Sequence, residues 1–135
     1  MIPPVTAVML AAFLCGACAA PFSAEPRQEV PGIVIDAIVI RNELAFPVTD
    51  VMIEVPATGG FAGCGNILPR SQCSTSFEAV TYRSNPMRIS WKEYGQLQQT
   101  DAFVLQPPAT LEPGQPVRVE VRIFAMGQAG AVLKQ

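Results

Sequence analysis

The strongest constraint on this chain is a side-chain alternation with a period of two. Val117, Val119, Val121 and Ile123 are apolar, and the residues between them, Arg118, Glu120 and Arg122, are charged. Successive side chains of a strand point to opposite faces, so this pattern fits a strand with one buried face and does not fit a helix. The same alternation recurs upstream. Val51, Ile53 and Val55 share one face within 48–55, and Asp50, Met52 and Glu54 take the other. Cys73, Thr75 and Phe77 alternate with Ser74, Ser76 and Glu78. Met87, Ile89 and Trp91 alternate with Arg88, Ser90 and Lys92. Residues 33–41 form a β-branched run that also reads as a strand. Tyr94-Gly95-Gln96 reads as a hairpin turn, with 97–105 returning as a strand.

These segments predict six or seven strands, and no stretch shows a 3.6-residue amphipathic pattern. Thirteen prolines and ten glycines in 135 residues supply the punctuation that many short strands need. The expected fold is all-β: a single sandwich of about seven antiparallel strands occupying 32–135. Residues 56–72, rich in glycine, read as a long loop. Trp91, in phase with Met87 and Ile89, reads as core; the alternative is a surface anchor for a sugar or protein.

The N-terminus reads as an address. Residues 5–20 form an uncharged apolar run of about sixteen, short for a bilayer span, ending in small residues as a secretory signal does. The first basic residue is Arg27, so the positive region of such a signal is missing, for which a start further upstream is one explanation. The alternative is a buried hydrophobic helix of the mature fold, against which Pro21 and Pro26 argue. Leu14-Cys15-Gly16-Ala17-Cys18 resembles a bacterial lipobox: Gly16 and Ala17 match the small pair before the cysteine, and Cys15 stands where leucine is preferred. The resemblance implies a lipoprotein-type signal over 1–18, with Cys18 acylated as the mature N-terminus. Because Ala19 is not aspartate, it also implies sorting to an outer membrane, facing the periplasm or the surface. The competing cut follows the A-x-A pattern Ala17-Cys18-Ala19 and gives a soluble periplasmic protein. Residues 19–31, rich in Pro, Ala and charge, read as a flexible tether.

Cys64 and Cys73 remain for the domain. An even pair in an exported chain reads as a disulfide, with eight residues between the two and Gly65, Pro69 and Ser71 among them to turn the chain back. Without histidine, two cysteines do not complete a tetrahedral zinc site, so no metal or other cofactor is expected. The absence of histidine also removes Ser-His-Asp and Cys-His catalysis. Acids such as Asp50, Glu54, Glu78 and Glu120 fall on the polar faces of strands, where solvated charge belongs. The chain therefore reads as no enzyme, with a small carboxylate hydrolase kept as the distant alternative. A net charge of −2 and no basic cluster give no footprint for nucleic acid, and no small-molecule substrate is evident.

Two stretches resemble bacterial immunoglobulin-like adhesion and envelope modules. Residues 38–42 (IVIRN), followed by 48–51 (VTDV), resemble opening strands in which an asparagine ends the first and a valine-rich run begins the second. Leu111-Glu112-Pro113-Gly114-Gln115, leading into 117–121, resembles the L-x-P-G turn of the same modules. The pair Cys64 and Cys73 departs from the inter-sheet spacing of antibody domains. The resemblance implies the sandwich fold and not a function; the expected role is a lipid-tethered binding or structural module that contacts another envelope protein or assembly. The alternative is an assembly factor or subunit of a pilus-type or secretion structure, which an open edge strand would favour. If the domain carries a contact site, the stapled loop is where it is expected, through Phe61, Asn66 and Arg70; the alternative is that the glycines only supply turn angles and the ring only stabilises a long connection.

Overall fold

The computed structural model describes residues 32–135; the signal segment, Cys18 and the tether lie outside the described residues. Eight strands follow in order: β1 (Val34–Asn42), β2 (Thr49–Val55), β3 (Gly60–Cys64), β4 (Gln72–Thr81), β5 (Arg88–Glu93), β6 (Gln96–Gln99), β7 (Pro116–Phe124) and β8 (Gln128–Lys134). They build two four-stranded sheets, β4-β1-β7-β8 and β3-β2-β5-β6, which close face to face as a β-sandwich. The core lies between them. Ile38, Ile40, Val119, Val121 and Ile123 come from one sheet, and Val51, Ile53, Ile89 and Trp91 from the other. Trp91 is fully buried, with its indole N–H donating to Glu93 at 2.9 Å, so it is a core residue and not a surface anchor.

Two strands exceed the expected pattern, and one pairing departs from it. β3 lies inside the segment read as a loop, and β8 follows the strand read as the last. Both are diluted with glycine and alanine (GFAGC and QAGAVLK), so their alternation is faint. β1 runs antiparallel to β4 but parallel to β7, so the sheets are not wholly antiparallel. A parallel neighbour needs a long crossover, and here the whole second sheet supplies it. The strand expected over 97–105 stops at Gln99; beyond it Thr100 exchanges hydrogen bonds with Ile89 through its N–H and hydroxyl, and Phe103 makes an isolated bridge with Met87. Pro107 and Pro108 block any continuation of the ladder.

Bulges keep the buried face in phase where the sequence slips by one. Ile35 and Ile38 are both buried although three apart, and the β1 register shifts between Ile35 and Ala37. Val48 and Val51 are also both buried, and Asp50 between them is the extra residue, at φ 48. Its carboxylate meets Lys92 at 3.1 Å. Tyr94 and Gly95 both take positive φ between the paired residues Glu93 and Gln96, which is what a two-residue type I′ hairpin requires. Pro113-Gly114 turns the chain into β7, with Gly114 at φ 80.

One end of the sandwich is tied by a single side chain. Asn42, at the end of β1, is completely buried. Its amide nitrogen donates to the Phe46 carbonyl at 2.8 Å and to the carbonyls of Ile67 and Leu68 at 3.2 Å each. Its side-chain oxygen accepts the Leu44 N–H at 3.0 Å. These bonds fasten the β1–β2 connection to the β3–β4 connection, hence one sheet to the other. Replacing Asn42 with alanine leaves buried carbonyls and an N–H without partners, each costing about 1–3 kcal/mol. Asn42→Ala is therefore expected to lower the urea midpoint by the equivalent of about 3 kcal/mol with the m-value unchanged. A loss below about 1 kcal/mol would show that water takes over the amide's role.

Candidate functional site

The two sheets meet unequally along their sides. β3 and β4 are edge strands on the same side of the sandwich, joined by the chain through 65–71 and cross-linked by the Cys64–Cys73 disulfide, with Cα atoms 6.4 Å apart. Thr75 Oγ1 packs 3.9 Å from the Cys64 sulfur beside it. Closing a ring of this size stabilises by about 2.5–3 kcal/mol in the chain-entropy model. The disulfide sits at the last residue of β3 and the second of β4, so it pins the strands together where the chain crosses between sheets.

Away from that pin the strands part, and an apolar cleft of about 670 Å³ runs in between the sheets. Ile35, Ile38, Ile53 and Val119 line its depth. Gly60, Phe61 and Ala62 of β3 form one wall; Phe77, Val80 and Thr81 of β4 form the other. The cause of the opening is visible in β4. Its pairing with β1 is regular from Gln72 to Ser76 and irregular between Ser76 and Val80, where the strand spends extra residues. Such a bulge bends the strand away from its neighbours. Val80 is left 51% exposed and Phe61 75% exposed, both beside buried core. Apolar side chains held at a concave, largely apolar surface mark a binding region more strongly than scattered exposed ones do.

Tyr82 closes the floor at the far end. It is buried, its hydroxyl donates to the Leu105 carbonyl, and its backbone N–H donates to the Ile33 carbonyl at 3.0 Å. The described chain therefore enters the domain beside the cleft. Arg83 and Asn85 line the rim, and Glu78 lies on the β4 wall. Among the described residues, no group of three or more His, Cys, Asp or Glu is arranged to hold a metal ion.

The three residues expected to form a contact loop are not brought together. Phe61 is in register with Glu54 on the outer face of its sheet, with Ala62 and Cys64 facing in, so it borders the cleft at its rim. Asn66 and Arg70 are exposed beyond the disulfide, at the Asn42 end. Arg70 sits at φ 57 with its N–H on the Leu44 carbonyl at 3.1 Å. The ladder of β2 with this segment runs on through Val51–Cys64 to Val48–Ile67, so the segment is extended. At about 3.3 Å per residue, Phe61 and Asn66 stand roughly 16 Å apart. Sequence reasoning missed Phe77 and Val80 as a wall. Their three-residue spacing, where alternation demands two or four, is the signal of the bulge that exposes them.

Burial raises the Tyr82 phenol above its ordinary value of 10.0, with a smaller opposing effect from a hydrogen bond with Ser84. The folded protein thus holds this proton at a pH where the unfolded chain releases it. The stability this contributes is complete below pH 10 and is lost as pH rises beyond it. At pH 8, Tyr82→Phe is expected to be less stable by about 1 kcal/mol through the lost hydrogen bond. The gap should narrow above pH 10, because only the wild type loses stability from this group. A gap independent of pH, in denaturant titrations from pH 8 to 11, would contradict the placement of the phenol.

Comparison with known proteins adds little to this geometry. No family model matches the chain, and no curated protein matches it. A solution structure of a protein from Eubacterium rectale resembles it over 73% of this chain and 85% of that one, with a TM-score of 0.44 and 12% identity.

Proposed function

We propose that this chain is a non-enzymatic binding module of the cell envelope, of immunoglobulin-like type, that holds a partner along its β3–β4 side. The observation that carries this reading is the cleft between two edge strands, apolar in its walls and depth, with Phe61 standing exposed at its mouth. Edge strands offer unpaired N–H and C=O groups to an incoming strand, and pockets between them take its alternate side chains. The leader and the lipobox-like Cys18 support export and a lipid anchor on the outer membrane, with a soluble periplasmic form as the alternative. The free edge of β4 also favours the second reading, a subunit of a pilus-type or secretion structure assembled through strand pairing.

Site-specific photo-crosslinking in intact cells tests the surface. A benzoylphenylalanine at position 61 is expected to give an adduct with one defined protein. The same group at Val132, which is 50% exposed on β8 at the opposite side, should give none. Equal labelling from both positions, or no adduct from position 61, would contradict the reading. The anchor is tested separately: Cys18→Ser should move the protein from the membrane to the soluble fraction, and unchanged fractionation would remove the lipid anchor from the account.

A further inference from the structure

We infer that the partner on this side is a second copy of the same chain, paired antiparallel through β4 about a two-fold axis at Ser74. The inference rests on the reading that the β3–β4 side is a contact surface, and it names what occupies it.

The first argument is the edge itself. Proteins that must stay monomeric blunt their edges with Lys, Pro, short strands or bulges. β6 has only four residues, β3 is broken by Gly60 and Gly63, and β8 carries Lys134. β4 is the longest strand, at ten residues, and 71–77 (SQCSTSF) contains no charge, no proline and no glycine. Its pairing with β1 is regular over Gln72–Ser76, and that is the stretch left flat for a further strand.

The second argument is charge. Arg70 precedes this neutral stretch and Glu78 follows it, both exposed and each four residues from Ser74. Neither belongs to an ion pair found among the described residues. An antiparallel pair centred on Ser74 sets Gln72 against Ser76 and Cys73 against Thr75. It also sets the exposed turn that carries Arg70, just before β4 of each copy, at the level of the exposed Glu78 of the other, so that the long side chains can meet across the edge. A parallel pair would stack like charge on like. The edge is therefore complementary to itself in one orientation, as an isologous two-fold contact demands.

The third argument is the cleft. The two-fold axis of an antiparallel pair stands perpendicular to the sheet, so the β3 strands of both copies lie on the same side of the joined sheet. Each open cleft then faces the other copy, and the half-exposed Val80, on the inner face in register with Ile35, is turned toward an apolar counterpart. A single operation satisfies the free backbone of β4 and covers the exposed apolar walls in both molecules.

The register can be read directly in the full-length chain in its own envelope. Opposed Cα atoms across an antiparallel pair lie about 4.5–5.5 Å apart, within disulfide reach. Ser74→Cys, an exposed substitution, should form an intermolecular disulfide seen as a dimer on non-reducing gels, at least tenfold above that from Val132→Cys. Arg70→Glu should reduce the yield severalfold, and Arg70→Glu with Glu78→Arg should restore it. A monomeric Ser74→Cys protein, yields equal to those of the Val132→Cys control, or a Ser74 adduct with a different protein would each overturn the homotypic partner. If Ser74→Cys stays monomeric while position 61 photo-crosslinks another protein, the partner assignment fails and the contact surface stands. If neither position reacts, both fail.

Discussion

The structure depends on how a sandwich with few covalent ties keeps its sheets in register at one end, and the answer is a buried amide. Asn42 is the only polar residue fully enclosed among the described residues, and all its hydrogen-bonding groups are engaged. A buried polar group stabilises only when satisfied, and when satisfied it specifies one arrangement. Here the arrangement joins the connection after β1 to the connection before β4, the two places where the chain crosses between sheets at that end. The neighbouring backbone follows: Asn42 N–H donates to Ser71 at 2.8 Å, Glu43 N–H to Ile123 at 3.0 Å, and Ile67 and Val48 exchange bonds at 2.9 and 3.1 Å.

With that end fixed by hydrogen bonds and by the Cys64–Cys73 ring, the far half of the β3–β4 side has neither. The bulge in β4 and the glycines of β3 hold the strands apart there. The exposed Phe61 and Val80 are the energetic cost, since apolar surface left in water forgoes about 25 cal/mol per Å². In the proposed reading, this fold, tightly specified at one end and open at the other, has its open half completed by a partner. The rigid half then sets where the edge of β4 is presented.

How much of this could be read in the sequence follows from which signals are local. The alternation at Val117–Val119–Val121–Ile123 maps onto four nearly fully buried side chains, and Met87, Ile89 and Trp91 behave the same way. The disulfide followed from an even cysteine count in an exported chain. β3 and β8 escaped notice because glycine and alanine carry little alternation, and 97–105 was read too long because Phe103 and Leu105 keep the rhythm after the ladder has ended. The cleft was not legible for a deeper reason. Cys73, Thr75 and Phe77 alternate whether or not anything covers them, and whether they are covered depends on which strand lies at the edge. That is set by the parallel placement of β1 beside β7, which no short window of sequence encodes. The same non-local fact separated Phe61 from Asn66 and Arg70, because a segment read as a compact loop is in fact extended along β2.

The central claim, that Asn42 is locked within the fold and holds its crossing connections, is tested most directly by hydrogen exchange of side-chain amides followed by NMR. The Asn42 amide protons should exchange only on global unfolding, far more slowly than those of Asn66, which is exposed two residues past the disulfide. Exchange of Asn42 as fast as that of Asn66 would mean the amide is open to water, and the account of how this sandwich is held would be wrong.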